Sequence, residues 1–184
     1  MAERFSELSD SLREFIAAQK IFFVATAAAE GRVNLSPKGY DSLRILNKNE
    51  LVWLNLTGSG NETAAHLLDS NRMTLMFCAF EGLPRILRLY GTAEVIHPGD
   101  DQWQEWLALF GKPAGSRQLF HMQIELVQTS CGYAVPFMDF LSERYTLKQW
   151  TEKKGDDGIK HYWSAENSVS LDGKKTDFQG ISNE

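Results

Sequence analysis

Hydrophobic residues along this chain switch between a helical and a strand period, and the switches divide it into elements. Phe5, Leu8, Leu12, Phe15 and Ile16 share one helical face, with Ser6 or Ser9 available as N-cap, which predicts a helix over one end of a sheet. Ile21-Phe22-Phe23-Val24-Ala25-Thr26 is apolar almost throughout, as a buried strand is. Ala29-Glu30-Gly31-Arg32 predicts a hairpin turn, with Val33-Asn34-Leu35-Ser36 starting the partner strand. Pro37 and Gly39 are expected to break that strand around Lys38. Leu43-Arg44-Ile45-Leu46 reads as another short strand, which Asn47-Lys48-Asn49 turns into the central stretch, Leu51 to Phe80.

That stretch predicts strand, tight turn, short helix and returning strand. Leu51-Val52-Trp53-Leu54-Asn55-Leu56 suits a half-buried sheet. Thr57-Gly58-Ser59-Gly60-Asn61-Glu62-Thr63 follows, then Ala64, Ala65, Leu67 and Leu68 at helical spacing. Ser59 and Glu62 have the spacing of a capping box, predicting Ser59 as N-cap and Glu62 at the third helical position. Asn71 is expected to end the helix, and Met73 to Phe77 to form the return strand. A glycine-flanked helix start offers backbone N–H groups, hydroxyls and an amide at one point, which suits a phosphate. A plain tight connection capped by Ser59 accounts for the same residues.

Further on, Glu81-Gly82-Leu83-Pro84 is a turn and Arg85 to Val95 a long strand, with Ile86, Arg88 and Tyr90 on one face and Leu87 and Leu89 on the other. A helix runs from Gly99-Asp100-Asp101 through Trp103, Trp106, Leu107 and Phe110 to Gly111. Phe120, Met122, Ile124 and Leu126 alternate with polar neighbours, as in a strand wet on one face. Beyond Ser130 the strand pattern stops. Cys131 to Phe137 is an apolar crossing segment, Tyr145, Leu147 and Trp150 suggest a short helix ended by Gly155, and a second spans Ile159 to Ala165. Asn167 to Glu184 is either a frayed tail or an arm resting on a partner. The pattern predicts a mostly β chain, with roughly six antiparallel strands in a small barrel and helices at its rims. Residues 1–130 form the barrel with its N-terminal helix, and 131–184 an extension packing on the barrel or on a dimer partner.

Composition narrows the function classes. With 184 residues, 43% hydrophobic and 11% aromatic, the chain can build a real core. A net charge of −5 supplies no basic stripe for nucleic acid. No apolar run approaches membrane-spanning length, and Met1-Ala2-Glu3-Arg4 opens no secretory signal. Cys78 and Cys131 form no CxxC pattern, so reduced, buried thiols in a cytoplasmic protein are expected. His66, His97, His121 and His161 lack metal-ligand spacing, so no metal site is expected.

The order of elements resembles the pyridoxamine 5′-phosphate oxidase-like family of FMN-binding split barrels. The resemblance is carried by Phe22 to Thr26, Leu35-Ser36-Pro37-Lys38-Gly39, the turn from Leu56 to Leu67, and Arg85 to Gly91; Gly132 to Pro136 and Asn167 to Gly173 look like the C-terminal part of one uncharacterised branch. The resemblance implies a homodimeric six-stranded antiparallel split β-barrel, with FMN in grooves at the interface. Ser36, Pro37, Lys38 and Gly39 would run along the flavin ring, and Asn55, Leu56, Thr57, Ser59, Asn61, Glu62 and Thr63 would hold the ribityl chain and phosphate. The implied function is a flavin-dependent oxidoreductase acting between an electron donor and a small molecule. The alternative is a non-catalytic split barrel that binds flavin, haem or another planar ligand.

The chain departs from the biosynthetic oxidases in carrying neutral Asn61 and Thr63 and acidic Glu62 where they carry basic residues at the phosphate turn. The charge must then come from Lys38, Arg85 or Arg88, or the site is weaker. The Arg-Leu-His-Asp-Arg type of stretch that closes over the vitamin phosphate is missing, so oxidation of pyridoxamine phosphate is not expected. Lys38 is either a cation beside the flavin ring or a solvated lysine at a kink. Arg88 is either a phosphate or ring contact or an interface ion pair. His66 reads as a structural donor, while Trp150, Tyr162 and Trp163 read as a flavin lid or as core anchors.

Overall fold

Arg85–Ile96 and Ser116–Cys131 form the spine of the molecule: burial alternates along the first and along most of the second, whose opening Ser116 to Phe120 is buried on both faces. The computed structural model describes residues 2–178. In chain order it runs β1 (Glu3–Phe5), α1 (Asp10–Ala18), β2 (Phe22–Thr26), β3 (Asn34–Lys38), β4 (Leu43–Ile45), β5 (Glu50–Leu56), α2 (Glu62–Asp69), β6 (Arg72–Cys78), β7 (Arg85–Ile96), α3 (Trp103–Ala108), β8 (Ser116–Cys131) and α4 (Thr146–Glu166). The strands form one antiparallel sheet in the order β3-β2-β6-β7-β8-β5-β4, with β1 added beside β8.

The sheet curls. Four steps separate β2 from β5 in that order, about 19 Å in a flat sheet. Yet Phe22 of β2 and Trp53 of β5 meet edge to face with ring centroids 6.4 Å apart. Phe77 stacks on Phe22 and Phe120 on Trp53, so aromatic rings from both halves close a single core. On the outer side of β5, Val52 and Leu54 pack with Leu119 against Trp103 and Leu107 of α3. Covered on both faces, β5 reads as a continuous apolar run.

The antiparallel, mostly β half-barrel with peripheral helices agrees with the sequence reading, and several local expectations need correction. There are eight strands among the described residues rather than roughly six, because three-residue strands such as β1 are too short to carry a period. Phe5 lies in β1 opposite Val127, and the helix starts later, where Ser9 caps it by accepting a hydrogen bond from the Leu12 N–H at 3.3 Å. Pro37 does not break β3. That strand pairs only with β2, so it is an edge, where the missing proline N–H costs no ladder bond. Cys78 and Cys131 are both free, but Cys131 is exposed.

The extension beyond β8 crosses the surface and returns through α4, where Gly155, at φ 66°, separates two helical runs. The arm after α4 rests on the barrel of its own chain. Asn167 and Thr176 are fully buried, Arg32 pairs with Asp172, and Lys174 pairs with Asp69 at 3.1 Å. The last residues of the expected tail, 179–184, lie outside the described residues.

Gly91 shows how tightly β7 and β8 approach at their bulge. A Cβ there would stand 1.9 Å from the Gln123 carbonyl oxygen, which is backbone and cannot swing aside. Gly91→Ala is expected to cost about 3 kcal/mol, lowering Tm by roughly 6–12 °C. A melting temperature within two degrees of the parent would mean that the strands do not close here.

Candidate functional site

Alternation along β3 turns Asn34, Ser36 and Lys38 inward and leaves Leu35 and Pro37 outside. Lys38 therefore reaches into the barrel end, its ammonium 5.3 Å from the centroid of the Trp53 ring. Burial, with Arg117 adding repulsion, lowers its pKa to about 8. Two residues along β5 from Trp53, Asn55 donates its amide to Gln118 Oε1 at 3.3 Å, both side chains being buried. The remaining donors here lack acceptors: Trp53 Nε1, Gln118 Nε2 and Arg117 Nε are buried and unpaired. One end of the barrel is thus rich in donors and positive charge.

The turn after β5 is built differently from the capping box expected for it. The helix α2 begins at Glu62 with Asn61 as its N-cap position, so Ser59 lies outside the helix and Glu62 is its first residue. Glu62 finds a tertiary partner instead, its Oε1 accepting from the Leu171 N–H at 2.9 Å. Thr57 is also occupied, since its hydroxyl donates to the Gly115 carbonyl and accepts from Trp163 Nε1, both at 2.8 Å. Asn61 donates to the Asn167 carbonyl at 3.1 Å, and Thr63 accepts from Asn34 at 3.3 Å. Ser59 is exposed, and Leu56 sits half-buried at the bulge between β5 and β8.

Beneath this turn lies Arg117, a residue that the sequence pattern does not single out. Its Nη1 donates to the Gly58 carbonyl at 3.2 Å and to Asn167 Oδ1 at 2.7 Å, and its Nη2 to the Gly60 carbonyl at 3.0 Å. Only 2% of Arg117 is exposed, and no carboxylate among the described residues pairs with it. Burial lowers its pKa to about 10, which still leaves it charged at neutral pH. Asn167 completes the network by donating Nδ2 to the Gly58 carbonyl at 3.0 Å. The only sequence signal for Arg117 is a polar run, Ser116-Arg117-Gln118, just ahead of the alternating strand.

Inward-facing residues of β3 thus reach β5 and the start of α2, Lys38 at the Trp53 ring and Asn34 at Thr63. Arg88 does not join them. It lies on the outer row of β7 with Ile86 and Tyr90, opposite the core-facing Leu87 and Leu89, and donates to Ser130 at 3.3 Å. Trp163 is a buried anchor, whereas Trp150 and Tyr162 meet edge to face on α4. Tyr40 follows Gly39 at φ 57°, and its hydroxyl donates to the Arg144 carbonyl. Beside it opens a cleft of about 700 Å³ walled by Phe23, Phe80, Met138 and Phe140.

A family profile described as pyridoxamine 5′-phosphate oxidase matches residues 8–131. The chain belongs to the pyridoxamine 5′-phosphate oxidase family. A relative in Aspergillus flavus, the pyridoxamine 5′-phosphate oxidase family protein ustO, is 34% identical over 189 residues, covering 92% of this chain and 75% of that protein. Among solved structures, HupZ from Group A Streptococcus superposes with a TM-score of 0.52 at 22% identity, over 65% of this chain and 91% of that one. HutZ, the haem storage protein of Vibrio cholerae, does so with a TM-score of 0.51 at 19% identity, over 68% and 97%. At these identities both structures establish the shared barrel. The family match ends at Cys131, so α4 and the arm that closes over the turn lie beyond it.

Proposed function

We propose that this chain binds FMN and acts as a flavin-dependent oxidoreductase on a small molecule, with two copies forming the cofactor grooves between them. The supporting observation is the half-buried ammonium of Lys38 over the Trp53 ring, in a barrel where Trp53 Nε1, Gln118 Nε2 and Arg117 Nε are buried without acceptors. Buried donors and cations left unmatched are costly, so such a cluster fits a ligand that brings acceptors and negative charge. FMN brings both, in its ring carbonyls and nitrogens, its hydroxyls and its phosphate. When bound, it would supply the hydride and electron chemistry that no side chain here provides.

The roles left to the protein are binding and electrostatic tuning. Lys38 would offer a desolvated ammonium to the acceptor edge of the ring, and Ser36, Pro37 and Gly39 the strand beside it. Asn55, Leu56 and the turn Thr57 to Thr63 would hold the chain and phosphate. The cleft beside Tyr40 is roomy and apolar enough for a small molecule. Tyr133, Phe137 and Leu141 are more than four-fifths exposed on the crossing segment, which supports a second copy of the chain covering them. Free cysteines suit a reducing compartment such as the cytoplasm.

The deciding experiment is an absorption spectrum of the purified protein before and after adding FMN, with sedimentation of the same sample. Flavin bands retained or shifted by a dimer support the proposal, and turnover of reduced nicotinamide with a flavin or quinone acceptor would then establish catalysis. A Soret band on adding haem, with FMN unperturbed, would instead favour a non-catalytic holder of a planar ligand.

A further inference from the structure

Phe178, at the far end of the described arm, meets two rings edge to face: the Trp163 indole of α4 at 5.3 Å and the His97 imidazole at 5.5 Å. His97 directly follows β7, so this three-ring contact ties the end of the arm to the sheet. The imidazole is the odd member of the set. Its Nδ1 and Nε2 are both buried, and neither has a hydrogen-bond partner among the described residues. A neutral ring leaves one donor and one acceptor unmatched there, whereas a protonated ring would leave two donors and a charge. Asp100, on the same turn, directs its Oδ2 to the His97 backbone N–H at 2.7 Å. Asp100 and Asp177 of the arm are the carboxylates that favour a charged ring, and no charged group of α4 bears on it. Burial outweighs them and holds the imidazole below its usual pKa of 6.5.

We propose that His97 is a pH-sensitive clasp: the C-terminal arm stays docked while the imidazole is neutral and lets go when the ring takes up a proton. A released arm leaves the ring to water, where it binds a proton more readily than under Phe178. Docking is therefore strongest above 6.5 and weakens as the pH falls through that value. The other ties of the arm do not titrate in this range. Asp69, held by the Ala29 N–H and Lys174, and Asp172, held by the Arg32 N–H and side chain, lie below the usual 3.8 and stay ionised. His66 acts on both carboxylates, and its protonation would add attraction for Asp172, the opposite sign. The arm brings the Leu171 N–H to Glu62, and α4 ends in the Asn167 that Arg117 holds. Acid thus loosens the cover of the turn before α2 while the sheet stays folded.

Amide hydrogen exchange of the full chain at pH 7.5 and 5.5, corrected for intrinsic rates, tests the clasp. Protection across residues 168–176 should fall about fivefold on acidification, with β7 and β8 unchanged. His97→Phe keeps a ring in the contact and removes the titration, so its arm should be equally protected at both values. A parent arm that is equally protected at both, or a His97→Phe arm that loses as much protection as the parent, overturns the proposal. Ring-proton NMR keeps the test decisive if His97→Phe does not fold. The His97 resonance should titrate below 6.5 in the parent and move back toward that value in Phe178→Ala. An ordinary midpoint in the parent, or one that Phe178→Ala leaves in place, equally overturns the clasp.

Discussion

Lys38→Met is expected to stabilise the flavin-free protein at neutral pH and, in the same protein, to weaken FMN binding about tenfold. The two effects have opposite signs because Lys38 is a charge held in a poor environment until a ligand arrives. Its pKa falls from 10.5 to about 8 on folding, chiefly through desolvation and then through Arg117. Between those values the unfolded chain binds more protons than the folded one, so stability should rise with pH across that window. Below about pH 8 the lysine is charged in both states, and its burial destabilises the fold. Methionine keeps the hydrophobic stem and removes the charge, so the variant should melt higher at pH 7 and lose most of the rise between pH 8 and 10. Binding should behave in reverse. Parent affinity for FMN should decline above pH 8, as the ammonium it needs is lost, while Lys38→Met should be weak and flat with pH. The lost cation should also lower the midpoint potential of the bound flavin by about 30–60 mV, or one to two factors of ten in the two-electron equilibrium. Melting curves of the flavin-free protein at pH 7 and 9, with FMN titrations at both, test the set. Identical pH profiles for parent and variant would show that Lys38 is an ordinary solvated lysine.

Trp163→Ala should be the most destabilising substitution in the C-terminal extension. The indole is buried, lies edge to face with Phe178 at 5.3 Å, and donates to Thr57 at 2.8 Å. Truncation removes a large apolar surface and leaves a cavity, for a cost of about 3–4 kcal/mol and a fall in Tm of roughly 6–16 °C. Trp163→Phe separates the two contributions, since the ring remains and the Thr57 hydroxyl still donates to the Gly115 carbonyl. That loss should be nearer 1 kcal/mol. A truncation that melts like the parent would mean that the arm does not rest on the barrel in solution. Because Asn167 caps the end of the same helix, Trp163→Ala should also loosen the Arg117 network and weaken FMN binding.

Several elements are legible in the amino-acid sequence because their signal is local. The period-two row through Phe120, Met122 and Ile124, the apolar run of β5 and the glycine break at Gly155 each report an environment shared by neighbours along the chain. The turn after β5 is equally visible, but its cap is not. A capping box assumes that the third-position carboxylate has no better partner, and the Leu171 N–H, more than a hundred residues away, provides one. Pro37 misleads for a related reason: whether a strand is central or an edge is a property of the sheet.

Periodicity and local motifs carry the order of the longer strands and helices and their antiparallel, mostly β character, and the quoted stretches from Phe22 to Gly91 carry the resemblance to the family. The electrostatics of the candidate site came only with the tertiary structure. Pairing β5 with β8 sets Asn55 opposite Gln118 and brings Arg117 under a turn that carries no basic residue of its own. Curling the sheet then carries Lys38 to the same end, and it leaves Arg88 on the other face. Coulomb and desolvation energies depend on distance through space, and a periodicity along the chain holds no record of that distance.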